Sequence, residues 1–257
     1  STSTGGGIRF GFPIDEKESL NFGLAIDQTT IDITPITLAT PPQYIRFQAE
    51  HGDSNITLPA TVSWTRDTRN SAIYTTSGGV QKAAVEVAVP GADLTFYRLT
   101  YQNQHYFSLT KDLVLMVNAE LGYADGLQGQ TLPFYKNFYA GGVGSVRGYD
   151  TASLGPVDPF YPDTRLGGTR KAVFNAELLM PFPGFDKALR LGPFFDAGNV
   201  FDENVYTFSK EGLRYSVGLT AAWISPLGPL KFSYGQPLNE QSNDKLQKFQ
   251  FQMGTTF

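Results

Sequence analysis

The 257-residue chain has no cysteine, so a disulfide framework, a thiolate metal site and a thiol nucleophile are all excluded, and the redox compartment is left open. It has two histidines, His51 and His105. His105 sits between Gln104 and Tyr106 with no Ser or Asp at a spacing that suggests a relay, so it reads as a turn histidine rather than a general base. Asp93, Asp125, Asp158 and Asp163 form no Asp-x-Asp cluster and read as loop-solvating groups, not metal ligands. Charge is sparse: charged residues make up 17%, below the roughly 25% of ordinary soluble chains. The net charge of -4 leaves no basic footprint for nucleic acid. No run of 18 apolar residues exists, which excludes a bundle of membrane helices but not a membrane barrel, where only every second residue meets lipid. The opening Ser-Thr-Ser-Thr-Gly-Gly-Gly carries no signal-peptide pattern, so a mature chain or a fragment is expected.

What is abundant is glycine, with 27 residues, and aromatics, at 14%, arranged in strict alternation. In the run Leu113, Leu115, Val117, Ala119, Leu121, Tyr123 one face is apolar, while Asn118, Glu120 and Gly122 lie on the other. That is a period-two strand between two solvents. Similar faces recur at Ile8/Phe10/Phe12, Leu20/Phe22/Leu24/Ile26, Ile56/Leu58/Ala60/Val62/Trp64, Ala83/Val85/Val87/Val89 and Tyr97/Leu99/Tyr101. They continue at Ala172/Phe174/Ala176/Leu178, Leu189/Leu191/Phe195, Leu213 through Trp223, Leu230/Phe232/Tyr234 and Phe249/Phe251/Met253/Phe257. About eleven strands of roughly ten residues result, the length that crosses a bilayer at a barrel's tilt.

Connections alternate in size. Residues 13–18, 108–111, 181–186 and 225–228 are expected as tight turns, while 27–55 and 125–170 are long excursions on the opposite side. This asymmetry is that of an outer-membrane barrel. Residues 44–50 have the pattern of a helical turn or two behind Pro41 and Pro42. Phe12, Trp64, Trp223, Phe249 and Phe257 fall near strand ends, where amphipathic rings sit at headgroup level. Core aromatics of a soluble β-sandwich are the competing reading.

The stretch 137–149 places one arginine, Arg147, between glycines and aromatics. Glycines permit close backbone approach, and an arginine fork seeks a carboxylate it can grip twice. The alternation sends Asp196 and Phe194 to the face opposite Leu191 and Phe195, and Asn175 and Glu177 to the polar face of the preceding strand. Two carboxylates thus line one inner wall, with Arg147 as the candidate cation between them.

These residues carry a resemblance. Phe138-Tyr139-Ala140-Gly141-Gly142 followed by Val146-Arg147-Gly148-Tyr149 resembles the inward-folded loop tip of the BamA family of outer-membrane protein assembly factors in Gram-negative bacteria. Phe194-x-Asp196-x-Gly198 resembles that family's Phe-x-Asp-x-Gly strand motif, with Glu177 as the acid on the strand before it. The stretches 225–234 and 249–257 resemble its last two strands. The resemblance implies an all-β, antiparallel transmembrane β-barrel, of which residues 1–257 supply the C-terminal portion: about eleven strands of a sixteen-strand family barrel. It implies a long inward-folded extracellular loop, about 125–170, whose Arg147 docks on Glu177 and Asp196 inside the barrel.

It further implies a non-enzymatic insertase of the bacterial outer membrane, needing no cofactor or metal. Its contacts would be lipid, client β-barrel proteins and BAM lipoproteins, the last reached through POTRA domains absent from this chain. The last-strand half of a lateral gate, about 246–257 with Phe249, Phe251, Met253, Gly254 and Phe257, would be present, and roughly the first five strands would not. An odd count of eleven makes the first and last strands parallel, so a truncated or rearranged barrel with partner-seeking edges is expected, open to edge-to-edge self-association. A two-partner secretion transporter or passive porin shares the alternating strands and remains the alternative, and an enzyme barrel lacks its residues.

Overall fold

Alternation fixes which face a strand shows, and hydrogen-bond register then assembles the strands. The computed structural model describes residues 1–33, 40–72, 74–158, 161, 164–185, 188–202, 212–225 and 228–254. Strands β1 (Thr2–Pro13) and β2 (Glu18–Thr30) form the first hairpin. Helix α1 (Pro42–His51) and the short β3 (Ser54–Thr57), which pairs back onto β2, precede β4 (Pro59–Asp67). There follow β5 (Gly78–Ala88), β6 (Phe96–Ser108) and β7 (Val114–Gly126). The long loop after β7 contains β8 (Gly148–Tyr149) and leads to β9 (Arg170–Pro181), β10 (Leu189–Phe201), β11 (Arg214–Ser225) and β12 (Gly228–Pro237). Two short pieces, β13 (Leu246–Gln247) and β14 (Phe249–Met253), complete the described chain.

The main sheet runs β1-β2-β4-β5-β6-β7-β9-β10-β11-β12-β14, with β3 beside β2. Every neighbour along that path is antiparallel, as the expected meander requires. Its eleven members coincide with the eleven alternating runs. Phe10, Leu24, Leu219 and Phe249 are among the large apolar side chains left exposed, each from 57% to 65%, on the face assigned to lipid. An aqueous sandwich would hide those groups; a barrel wall presents them to acyl chains. Among the described residues β1 and β14 each keep one edge unpaired.

Several details differ from expectation. The helix in the first excursion is longer than 44–50, because Pro42 at its first position needs no N–H partner and lets it begin earlier. The excursion itself is shortened at both ends by β2 and β3. The last strand is not continuous from 246: Leu246 and Gln247 pair with the loop, and β14 begins at Phe249. Phe257 and Asp163 lie outside the described residues, as do parts of the expected turns at 181–186 and 225–228.

The buried interior lies on the concave side, and much of it is loop. Leu132, Phe138, Ala140, Val146, Tyr149 and Leu154 cluster with the wall residues Ala88, Phe96, Ala124, Val173 and Val200. The Phe138 ring closes over Gly122, where an added Cβ would lie 2.7 Å from it. The Arg98 guanidinium covers that ring at 4.3 Å from its centroid. Apolar burial therefore carries the loop into the sheet's concavity before any ionic contact is counted.

Candidate functional site

The tip of the loop is built by its glycines. Gly141 and Gly142 take φ values of 107° and 92°, open to residues without a Cβ, and the Ser145 N–H donates to the Gly142 carbonyl at 3.0 Å to close a turn. The Gly142 N–H in turn donates toward the Val146 and Tyr149 carbonyls, each at 3.2 Å. Arg147 leaves this turn pointing at the wall.

On the wall, two rows of inward residues run across neighbouring strands. One row is Glu177, Phe194, Gly218 and Gly235, each directly opposite the next in register. The adjacent row is Asn118, Asn175, Asp196 and Ser216. The Arg147 guanidinium sits between the rows. Its Nε and Nη2 donate to the two Asp196 carboxylate oxygens at 2.7 Å each, and its Nη1 donates to Glu177 at 2.6 Å. The Arg147 backbone N–H adds a bond to Asp196 at 2.9 Å, and the Phe194 ring lies under the guanidinium at 3.5 Å. Fork, ring and backbone together specify one orientation.

Polar neighbours complete the set. The Asn175 amide donates to Asp196 at 2.8 Å and to the Ser145 carbonyl at 2.6 Å. Its own oxygen accepts from Asn118, which accepts from Gln102, so a ladder of amides across three strands holds Asn175 in place. Lys231 donates to Glu177 at 3.2 Å as a second cation. Arg147, Glu177 and Asp196 are 2%, 1% and 0% exposed, so removal of Arg147 leaves the Asp196 carboxylate buried without its cation. Burial pushes the Arg147 pKa down, yet the bonds to and charge of Asp196, followed by Glu177, outweigh it and hold the value above its ordinary range. The group stays cationic at physiological pH.

The floor beneath the tip is bare backbone. A Cβ on Gly235 would lie 2.7 Å from the Gly148 nitrogen, and one on Gly218 would lie 2.6 Å from the Phe194 ring. Gly148, at φ 90°, crosses directly above Gly235. The next residues pair as β8 with β13, and the buried Gln250 amide donates to the Tyr149 carbonyl at 2.7 Å. The Tyr149 hydroxyl, buried near Asp244, has its pKa raised chiefly by burial and stays neutral.

Of the residues read from sequence, Arg147, Glu177, Phe194 and Asp196 meet directly. Val146 packs in the loop's apolar cluster, and Gly148 and Tyr149 contact the last strands. Gly198 stands two residues along β10, where a Cβ would strike Val173 and the Ala172 carbonyl, and makes close room for β9 rather than for the arginine. Phe249, Phe251 and Met253 face outward on β14, away from the site, and Gly254 follows the strand at φ 85°. Lys231, Gly218, Gly235 and Gln250 carry no role in the sequence reading, although each falls on the inward parity of its strand. Among the described residues no group of acidic or histidine side chains is placed to hold a metal.

The Omp85 superfamily domain matches this chain over residues 1–257. The chain belongs to the Omp85 superfamily. Within it, the chain is 38% identical over 295 aligned positions to outer membrane protein assembly factor BamA of Neisseria meningitidis serogroup B, covering 100% of this chain and 36% of that protein. It is 33% identical to the BamA of Nitratidesulfovibrio vulgaris, covering 97% of this chain and 31% of the relative. The crystal structure of BamA from Haemophilus ducreyi lacking POTRA domains 1-3 superposes with a TM-score of 0.89 at 23% identity, over 97% of this chain and 53% of that one. The chain thus spans about a third of the length of these two curated relatives.

Proposed function

We propose that this Omp85 chain forms the C-terminal part of a barrel that assembles and inserts β-barrel proteins into the outer membrane of a Gram-negative bacterium. The observation that carries the reading is the buried Arg147, Glu177, Asp196 cluster inside a sheet whose outer face is apolar. A loop tied so firmly to the wall beside the last strands suits a machine that must hold an edge in a defined place. Names of the relatives support the same role.

The mechanism is non-enzymatic. An unpaired strand edge offers a row of N–H and C=O groups on which an incoming strand can form its first ladder. β14 supplies such an edge, short and with Phe249, Phe251 and Met253 toward lipid. Client barrels and lipid are its partners, and lipoprotein subunits would bind through POTRA domains. The free edge of β1 also suits a second copy of the sheet, so edge-to-edge self-association is part of the proposal.

The test is insertion of a client barrel into proteoliposomes by the complete protein and by its Arg147→Ala variant. A drop in client insertion with the variant barrel still folded supports the reading. Steady, solute-specific conductance with no stimulation of client insertion would show a passive channel or secretion pore instead.

A further inference from the structure

The last ladder of the sheet is unusually short, and the missing part of it is found elsewhere. β11 and β12 pair at ten positions, from Ser216 opposite Pro237 to Ser225 opposite Gly228. β12 and β14 pair at only five, from Tyr234 opposite Phe249 to Leu230 opposite Met253. Continued by two more steps past Lys248, that register would set Gln247 opposite Gln236 and Leu246 opposite Pro237. Those two residues pair instead with Gly148 and Tyr149 of the loop tip. The chain departs at Lys248, whose carbonyl still accepts from the Gly235 N–H at 2.8 Å.

Three further contacts fasten the departure. The Asp150 N–H donates to the Lys245 carbonyl at 2.8 Å, the Ser153 hydroxyl reaches the same oxygen at 3.4 Å, and the Gln250 amide holds the Tyr149 carbonyl. The alternative partner is handicapped. In an antiparallel ladder bonded pairs alternate, so the next bonded position after Gly235 and Lys248 is Pro237 opposite Leu246. Proline has no N–H to give there, which tilts the exchange toward the loop.

We propose that the loop tip and β12 compete for residues 246–247. Docking of Arg147 keeps the last ladder short, release of the loop returns both residues to β12, and Gln250 is a positioning residue of the clamp. For its consequence in assembly this rests on the function proposed above; the exchange itself does not.

The chain contains no cysteine, so an introduced pair reports alone within it. Gln236→Cys with Gln247→Cys places two thiols at a non-bonded position of the lengthened ladder, where side chains approach most closely. In the complete protein in lipid bilayers, the cross-link forms slowly while the loop is docked. Arg147→Ala raises its rate about tenfold, and Gln250→Leu, which leaves the arginine and its acids in place, raises it about threefold, the size of one hydrogen bond. Heat-modifiable gel mobility checks that each barrel folds, and if Arg147→Ala does not, Gln250→Leu decides alone. A cross-linking rate that neither variant changes, or one already maximal with the loop docked, overturns the exchange. Client insertion measured alongside separates the two readings. A faster cross-link with unimpaired insertion supports the clamp and refutes the role given to the loop in assembly; impaired insertion with an unchanged cross-link overturns the clamp alone.

Discussion

Gly235→Ala adds one methyl group to β12 and removes no charge, yet it is expected to unseat the loop. The new carbon would lie 2.7 Å from the Gly148 nitrogen and 2.9 Å from both the Arg147 carbonyl carbon and the Gly148 Cα. Nonbonded heavy atoms rest about 3.5 Å apart, so the tip must rise by roughly 0.6 to 0.8 Å. Bonds of 2.6 to 2.9 Å from Arg147 to its acids would then stretch past the roughly 3.2 Å limit of good geometry. Overpacking of this size costs about 1 to 3 kcal/mol, charged against loop docking rather than against the strand, which accepts alanine readily. Limited proteolysis of loop 127–169 in the folded barrel reads that cost, because cleavage follows the population of the open form. The cleavage rate should rise roughly fivefold to a hundredfold. Gly144→Ala is the control: it lies on the same turn, and a Cβ there meets nothing within 4 Å. Equal protease resistance in Gly235→Ala and the unaltered protein would refute the close-contact argument, as would equal sensitivity in both variants.

Arg147→Ala leaves Glu177 with Lys231 but leaves Asp196 without its fork; a dry site would lose about 3 to 5 kcal/mol, and release of the loop into water caps the loss below that. Its loop should be cleaved faster than that of Gly235→Ala, with the barrel's heat-modifiable mobility retained. Arg147→Lys keeps the charge and loses the two-pronged grip, so it should fall between unaltered protein and Arg147→Ala in the same protease assay. Lys231→Met removes the more distant of two cations on Glu177 and leaves the Arg147 fork on Asp196, so it should loosen the loop less than Arg147→Ala; an equal effect would mean that the loop depends on Lys231 as much as on the arginine. Arg214→Ala strands the buried Asp244, bonded at 2.6 Å, and should raise hydrogen exchange at residues 238–247 while leaving the Arg147 cluster protected.

The strand faces were legible because lipid on one side demands an apolar residue at every second position, even where the inner face is itself apolar, as at Val114 and Met116. Leu113 to Tyr123 needs no partner to declare its faces. The candidate cation and its two acids were legible for a related reason: once Phe195 and Phe174 face outward, Asp196 and Asn175 must face inward. Register was not legible. Whether Gly235 falls opposite Gly218, and Gly218 opposite Phe194, depends on turn lengths across three strands, so the bare floor under the tip carries no local signal. Lys231 was hidden in the same way, since its contact with Glu177 crosses two intervening strands. The break at Lys248 was hidden as well: Gln247, polar on the outward parity of Phe249, Phe251 and Met253, marks where the apolar face stops but not where the chain leaves β12.

Strand parity adds a constraint of its own. Eleven antiparallel strands in sequence order leave β1 and β14 pointing the same way. No direct seam between them can be antiparallel. A wholly antiparallel closure therefore demands an odd complement, whether a single strand or several, and an even complement is barred by direction alone. The sheet in this way counts what joins it: an incoming hairpin cannot bridge both edges by itself, whereas a lone strand, or a hairpin with one strand more, satisfies both at once.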